Sequence, residues 1–121
     1  MAEQKQKAEG QSAADITKKL SEMQAQQRQL QVTSMQRQQS EYEFVQTESA
    51  IAALETSTGT AYKAIGSIIV EGKPEDIKQE LWNRKETVQV RIESFKKQEE
   101  RLKKSIDEQQ AELQKFLERS K

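Results

Sequence analysis

The side chains that usually carry enzymatic chemistry are either absent from this chain or lack a recognisable arrangement. The sequence contains no Cys and no His, which removes thiolate nucleophiles, imidazole bases and the usual zinc ligands. Acidic and basic residues are abundant, 20 of each, but no nucleophile–base pair is recognisable among them. Gly59, Gly66 and Gly72 are too widely spaced for a phosphate-binding loop. We therefore predict no enzyme, no metal site and no cofactor.

The composition indicates an elongated chain with a narrow apolar seam. In 121 residues, apolar and charged residues each account for 33%, and aromatic residues for 5%. This is too little apolar material for a compact core of normal size. The net charge is zero, whereas nucleic-acid-binding proteins normally carry a basic surplus, so we expect no nucleic-acid partner. No apolar run exceeds five residues, which excludes a transmembrane helix. We expect a cytoplasmic protein without a membrane partner.

Glycine and proline divide the chain into four parts. The only proline, Pro74, and three of the four glycines fall between residues 59 and 74, so these breakers separate two long uninterrupted segments. Ser12 is a suitable N-cap for the first helix, and Pro74 suits the first turn of the second. The predicted parts are a disordered polar leader over 1–11, a helix over 12–57, a β-hairpin over 58–73 and a helix over 74–119.

Both helices show the apolar spacing of a coiled coil, and the second shows it more clearly. The first helix has one row through Leu30, Phe44 and Ile51, while the slots predicted for its companion row are polar: Gln27, Ser34, Glu41 and Glu48. Eight of the sixteen residues from 24 to 39 are glutamine. A prion-like tract is the less favoured alternative there, because apolar residues interrupt it at helical spacing.

In the second helix, apolar residues recur every seven positions over about five heptads. They are Leu81, Val88, Phe95 and Leu102, continued by Phe116, with a companion row of Ile92, Ile106 and Leu113. The two helical segments match in length and their connection is short. We therefore predict a long antiparallel coiled-coil hairpin, in which Ile16 faces Phe116.

The segment between the helices changes to the period of a strand. Residues 60–71 are rich in β-branched and aromatic side chains around a Gly-Ser turn. Pairing across this turn places Ile65 opposite Ile68 and Tyr62 opposite Glu71, which leaves both faces partly apolar. A lone two-stranded hairpin is marginally stable, and its open edges invite pairing with another chain. We expect the hairpin to complete a sheet or barrel built by several subunits; a loop folded back on the helix ends is the alternative.

The hairpin and the following helix resemble the β-type subunits of the prefoldin family. The family's hairpin motif, aromatic-Lys-x-apolar-Gly-x-apolar-apolar-Val, is present in full as Tyr62-Lys63-Ala64-Ile65-Gly66-Ser67-Ile68-Ile69-Val70. The second helix is similar to that of archaeal β subunits through Gln79-Glu80-Leu81, Arg84-Lys85-Glu86-Thr87, Val90-Arg91 and Lys97-Gln98-Glu99. The similarity covers residues 14–118. The chain departs from the family pattern in its longer polar leader and in the small residues of 56–59.

This resemblance implies partners and an activity. Prefoldin subunits of archaea assemble as hexamers of two α-type and four β-type subunits, whose hairpins form an inter-subunit β-barrel. The coiled coils surround a cavity, and their tips hold non-native client proteins without ATP and deliver them to a group II chaperonin. The implied partners are α-type prefoldin subunits, further β-type copies, client proteins and the chaperonin. The implied oligomerisation residues are Tyr62, Ile65, Gly66, Ile68, Ile69 and Val70.

A chaperone of this kind needs apolar side chains that its own core does not consume. The ends of a coiled coil fray, so apolar residues near the free ends of both helices are only part-time members of the core. The candidate client-binding residues are Ile16, Leu20, Met23, Leu113, Phe116 and Leu117. Leu20 and Leu113 fit an ordinary seam equally well, whereas Leu117 lies outside the heptad rows. The alternative function is a structural coiled-coil tether without chaperone activity, although a tether needs no strand pair in mid-chain.

Overall fold

The computed structural model contains two long helices joined by a β-hairpin. It describes residues 2–56, 59–65 and 67–119, with side chains from residue 13 onward except at 65 and 68. The elements are α1 (Ala2–Thr56), β1 (Ala61–Ile65), β2 (Ile68–Gly72) and α2 (Pro74–Arg119). The predicted fold class, two long helices with one central strand pair, is confirmed. No helix in the described ranges is long and apolar enough to cross a membrane.

Helix α1 begins ten residues before the predicted N-cap. The sequence predicts disorder over 1–11 and a helix start at Ser12, whereas α1 begins at Ala2. The leader consists mostly of Ala, Glu, Gln and Lys, which are strong helix formers. A single Gly10 costs only about 1 kcal/mol in a helix interior, so a helix that has already formed can propagate through it. Helix α2, in contrast, has the same bounds as the predicted helix.

The two strands pair antiparallel in the predicted register. Ile65 pairs with Ile68 and Tyr62 with Glu71. The turn that connects the strands includes Gly66, which lies outside the described residues. This register is set by the two-residue connection, because a hairpin's loop length fixes which residues face each other.

Two glycines have a local structural role beside the strands. Gly59 has a φ of 124°, a conformation that side-chain-bearing L-residues rarely adopt. Gly72 lies so close to α2 that an added Cβ would come within 3.0 Å of Ile77 Cδ1. The end of β2 therefore approaches the first turns of α2 at a distance that only glycine permits without rearrangement.

The contacts of the chain define two units, and both helices contribute to each. We call Met1–Ser34 with Lys97–Lys121 the terminal unit, and Met35–Lys96 the hairpin unit. In the terminal unit, Lys19 Nζ lies 3.1 Å from Glu112 Oε2, and Ser105 Oγ donates to Gln26 Oε1 at 3.0 Å. A step of seven residues forward along α1 thus corresponds to seven residues backward along α2, which is the antiparallel heptad pairing that the sequence predicts.

The hairpin unit is closed by buried apolar residues and by ion pairs between the helices. Val88 of α2 is 1% exposed, and the other buried apolar residues of this unit are Ile51, Ala61 and Ile92. Glu43 of α1 contacts Arg84 Nη2 at 2.6 Å and Arg91 Nη1 at 3.7 Å. The further pairs between α1 and α2 here are Lys78–Glu55 at 3.3 Å and Lys85–Glu48 at 3.8 Å.

The companion row of the α1 seam lies one residue earlier than the sequence predicts. The buried positions are Thr33, Ser40 and Thr47, whereas the predicted slots were Ser34, Glu41 and Glu48. Short hydroxyl side chains can enter a seam because they bond to their own helix backbone, and Thr47 Oγ1 donates to the carbonyl of Glu43 at 2.7 Å. The α2 rows are those predicted: Val88, Ile92, Glu99, Ile106 and Leu113 are buried.

Candidate functional site

All six candidate client-binding residues belong to the terminal unit, and their exposure separates them into groups. Leu113 is 9% exposed and is therefore a seam residue, whereas Leu20 and Leu117 are 42% and 61% exposed. The half-buried members are Ile16, Met23 and Phe116. Leu20 is exposed because the seam passes through its neighbour position 19, in line with the shifted companion row. We call Ile16, Leu20, Met23, Leu113, Phe116 and Leu117 the terminal cluster.

The polar contacts beside the terminal cluster are weak. The ion pair Lys19–Glu112 joins side chains that are 43% and 60% exposed. Exposed pairs of this kind contribute about 0–1 kcal/mol, because water and salt screen them. This contact therefore contributes little to holding the two helices together.

One face of the β-hairpin lies against the helices. Alternate residues of a strand point to opposite faces, and Ala61, Lys63 and Val70 share this covered face. Ala61 is 7% exposed, and the Lys63 ammonium forms an ion pair with Glu80 of α2. Val70, the cross-strand partner of Lys63, is 43% exposed. This face is thus held by α2 at its base and is open towards the turn.

The opposite face of the hairpin is open, and it is apolar apart from Glu71, the cross-strand partner of Tyr62. Tyr62 and Ile69 are 67% and 71% exposed, and Ala64, the cross-strand partner of Ile69, is exposed as well. Exposed β-branched and aromatic side chains on a two-stranded sheet are typical of a surface that another strand or sheet covers. We call Tyr62, Ala64 and Ile69 the open face.

Three of the predicted oligomerisation residues cannot be assigned to either face. Gly66 and the side chains of Ile65 and Ile68 lie outside the described residues, so their role stays a prediction. For these two isoleucines the structure gives only the pairing of their backbones with each other.

A cleft of about 390 Å³ lies beside β1 in the hairpin unit. Its apolar lining consists of Ala50, Ala53, Leu54, Tyr62, Ala64, Ile77 and Leu81. Lys63, Glu80 and Arg84 complete the lining, and Lys63 and Glu80 are already paired with each other. The cleft has the size and polarity to accept an apolar side chain from a neighbouring strand. Among the described residues, no group of three Asp or Glu side chains is arranged to hold a metal ion.

An aromatic cluster fixes the packing of α1 and α2 below the hairpin. Lys85 Nζ lies 5.4 Å from the ring centroid of Phe44 and 4.7 Å from that of Trp82, within the range of cation–π attraction. The same ammonium is 3.8 Å from Glu48 Oε1. A lysine at a heptad position therefore sits in the seam with its charge partnered, so this interruption of the apolar row does not break the coiled coil.

A comparison with protein-family models identifies the family of this chain. The family model described as prefoldin subunit matches residues 15–120. The chain belongs to the prefoldin family. This confirms the resemblance seen in the sequence, and it places the chain in a family of chaperone subunits.

Similar proteins of the prefoldin family are β subunits from archaea. The prefoldin subunit beta of Archaeoglobus fulgidus is 36% identical over 110 residues, covering 89% of this chain and 95% of that protein. That of Methanococcoides burtonii is 30% identical over 104 residues, covering 84% and 89%. The crystal structure of the prefoldin beta subunit from Thermococcus strain KS-1 matches with a TM-score of 0.76 and 26% identity, covering 84% of this chain and 90% of that chain.

Proposed function

We propose that this prefoldin-family chain is a subunit of an ATP-independent holdase. The exposed and half-buried members of the terminal cluster bind non-native polypeptides, and the assembly delivers them to a group II chaperonin. The observation that carries the proposal is the exposure of Leu117 and Leu20 beside the weakly fastened helix ends. Apolar side chains left at the surface of a highly charged chain are available to any unfolded segment that exposes its own apolar groups.

Assembly brings several terminal clusters together. We propose that the open face and Val70 join the hairpins of neighbouring subunits in a hexamer of two α-type and four β-type subunits. Tyr62 and Ile69 support this, since burying each contributes about 1.5–3 kcal/mol that the single chain does not gain. A client contact at one terminal cluster is weak, but linked contacts raise apparent affinity by about 10²–10⁴. This makes tight holding compatible with release at each individual cluster.

The test uses the complex assembled with an α-type partner. Light scattering follows the aggregation of a thermally unfolding client at substoichiometric and stoichiometric ratios of the complex, with and without ATP. We expect the unmodified complex to protect the client from aggregation equally well with and without ATP. Leu117→Ser combined with Phe116→Ala should reduce protection, while Val90→Ser should not. Val90 is a matched control because it is an equally exposed apolar residue, at 66%, but lies in the hairpin unit.

Three outcomes separate the proposal from its alternatives. Equal loss of protection in the terminal-cluster variant and the Val90 control would reject the terminal cluster as the binding surface. An assembled native complex that protects no client would favour the structural tether. In a further arm, added group II chaperonin should accelerate the release of a fluorescently labelled client; no change in the release rate would reject the delivery step.

A further inference from the structure

A second heptad row runs along α1 in the hairpin unit, on the side away from the seam. Its members alternate in steps of three and four and are all exposed: Met35, Gln38, Tyr42, Val45, Ser49 and Ala52. We call these six residues the outer row. Met35, Tyr42 and Val45 are 62%, 66% and 59% exposed. Spacing of this kind is what a helix needs to pack against a partner along one stripe, yet these side chains lie exposed among the residues that the structure describes.

The outer row is free of charge in a chain that is one-third charged. None of its six members is ionisable apart from the phenol of Tyr42. One flank of the row is also neutral: it consists of the residues that follow Gln38, Val45 and Ala52, namely Gln39, Gln46 and Ala53. On the other flank, Glu41 lies 3.0 Å from Arg37 and Glu48 lies 3.8 Å from Lys85. Both acids on that flank thus already have partners within the chain.

The seam on the other side of α1 differs from the outer row in its flanking charges. There, Glu43, Glu48 and Glu55 form ion pairs with α2, and flanking charges of this kind select the partner and its orientation. The outer row has the same spacing, but the acids on its one charged flank, Glu41 and Glu48, are already paired within the chain. It therefore lacks the features that would choose one folded partner over another.

The size of the outer row argues in the same direction. The six residues of the outer row are far fewer than the roughly 20–30 residues per side, burying about 800 Å², of a standard stable interface. A groove of about 310 Å³ is lined by Met35, Gln38, Gln39 and Tyr42. Methionine is flexible and polarisable, which suits a surface that accommodates varied partners. The row is thus suited to weak, adaptable contacts.

We propose that the outer row is a second client-binding surface, which takes apolar, uncharged segments of non-native polypeptides. This inference rests on the proposed holdase function and adds to it a site distant in sequence from the terminal cluster. A client segment held at a terminal cluster has further unfolded chain attached to it. The outer row supplies a second contact for that chain, so the two surfaces act together through multivalency.

The first test is site-specific photo-crosslinking in the complex assembled with an α-type partner. Benzoylphenylalanine replaces Tyr42 in one sample and Val90 in the other, since both positions are 66% exposed. The probe is fluorescein-labelled lactalbumin, reduced and carboxymethylated so that it stays unfolded. We expect a crosslink to the probe from position 42 at several times the yield from position 90. A crosslink from position 42 to another prefoldin subunit instead would overturn the proposal and make the row a subunit interface.

The second test measures affinity by fluorescence anisotropy with the same probe. Tyr42→Glu should weaken binding by about fivefold, equivalent to about 1 kcal/mol, while Val90→Glu leaves it unchanged. Tyr42→Gln, which adds no charge, should weaken binding in the same direction and so excludes a general charge effect. Native mass should be the same for all variants.

These results separate this inference from the proposed function. If native complex binds the probe and Tyr42→Glu binds it equally well, the outer row is not a client surface and the terminal cluster alone carries the activity. If native complex does not bind the probe at all, both proposals fail together.

Discussion

The hairpin unit and the terminal unit close the same two helices by different means. In the hairpin unit, Val88 is 1% exposed, and the partly exposed ion pairs between α1 and α2 form a network, in which Glu43 is shared between Arg84 and Arg91. In the terminal unit, Ile106 and Leu113 are buried together with Thr33 and Glu99, and the ion pair that borders the terminal cluster, Lys19–Glu112, joins two exposed side chains. Both units bury polar residues, since Ser40 and Thr47 are buried in the hairpin unit. One region is built to keep its geometry, and the other keeps apolar side chains available.

The difference fits the roles proposed for the two regions. A strand pair can join neighbouring subunits only if its own base is rigid, so the helices below it need a well-packed seam. A surface that accepts many unfolded sequences gains from side chains that are not committed to one partner. Under the proposed function, Leu20 and Leu117 are exposed for the second purpose and Tyr62 and Ile69 for the first.

The largest effect is expected from a charge on the open face. Ile69→Asp adds a carboxylate at a position that is 71% exposed in the single chain, so folding of the chain itself should change little. In an assembly that covers this face, the charge would be buried without a partner, at a cost of several kcal/mol. We expect native mass spectrometry and sedimentation to show loss of the oligomer, with the far-ultraviolet helical signal retained.

The control for this substitution is Val90→Asp, which adds the same charge at a similarly exposed apolar site on α2. It should leave the native mass unchanged. If Ile69→Asp assembles as the unmodified chain does, the open face is not the subunit interface. The proposed role of the hairpin unit in assembly would then be rejected.

An intermediate effect is expected in the seam of the hairpin unit. Val88→Ala removes two methyl groups at a fully buried site, and the lost transfer energy together with the cavity should cost about 2 kcal/mol. Leu117→Ala, at a site that is 61% exposed, should change stability by less than about 0.5 kcal/mol. Urea unfolding followed by fluorescence of Trp82, the only tryptophan, measures both at one protein concentration, since assembly makes stability concentration-dependent. Equal destabilisation by both substitutions would contradict the assignment of Val88 and Leu117 to seam and surface.

The sequence predicted the parts of the fold in which apolar residues mark the buried positions. The rows of α2 stand out because Leu, Ile, Val and Phe recur at heptad spacing, so buried Glu99 could be located by its neighbours. The strand register followed from the turn length. The heptad spacing of α2 and the length of the turn can both be read from the sequence, and the structure confirms the α2 rows and the strand register.

The companion row of α1 could not be predicted in the same way. This row is formed by Thr33, Ser40 and Thr47. Because these residues are polar, the sequence does not mark them as buried, and the predicted row lies one position later. The shift also hides the difference between Leu20, which is exposed, and the half-buried Ile16 and Met23. Met35, Tyr42 and Val45 are visible in the sequence as a neighbouring stripe, but only the position of the seam shows that they lie on the opposite side of α1.

The smallest effect is expected from the polar seam of the terminal unit, and it is a gain of stability. Thr33 is fully buried, and its Oγ1 has no hydrogen-bond partner among the described residues. Burying a hydroxyl without a partner costs about 1–3 kcal/mol, while valine has the same shape and a similar helix propensity. Thr33→Val should therefore raise the free energy of unfolding by about 1 kcal/mol.

Thr47→Val is the matched control in the hairpin unit. Thr47 is also buried, at 5% exposure, but its Oγ1 donates to the Glu43 carbonyl at 2.7 Å, so the substitution removes a satisfied group and should gain less than Thr33→Val. Hydrogen exchange adds a regional readout: slower amide exchange in Thr33→Val should appear in residues 13–34 and 97–119, since the substitution fastens the helices there. If Thr33→Val destabilises the protein, the hydroxyl is satisfied in solution, and the terminal unit is then held more tightly than the comparison with the hairpin unit implies.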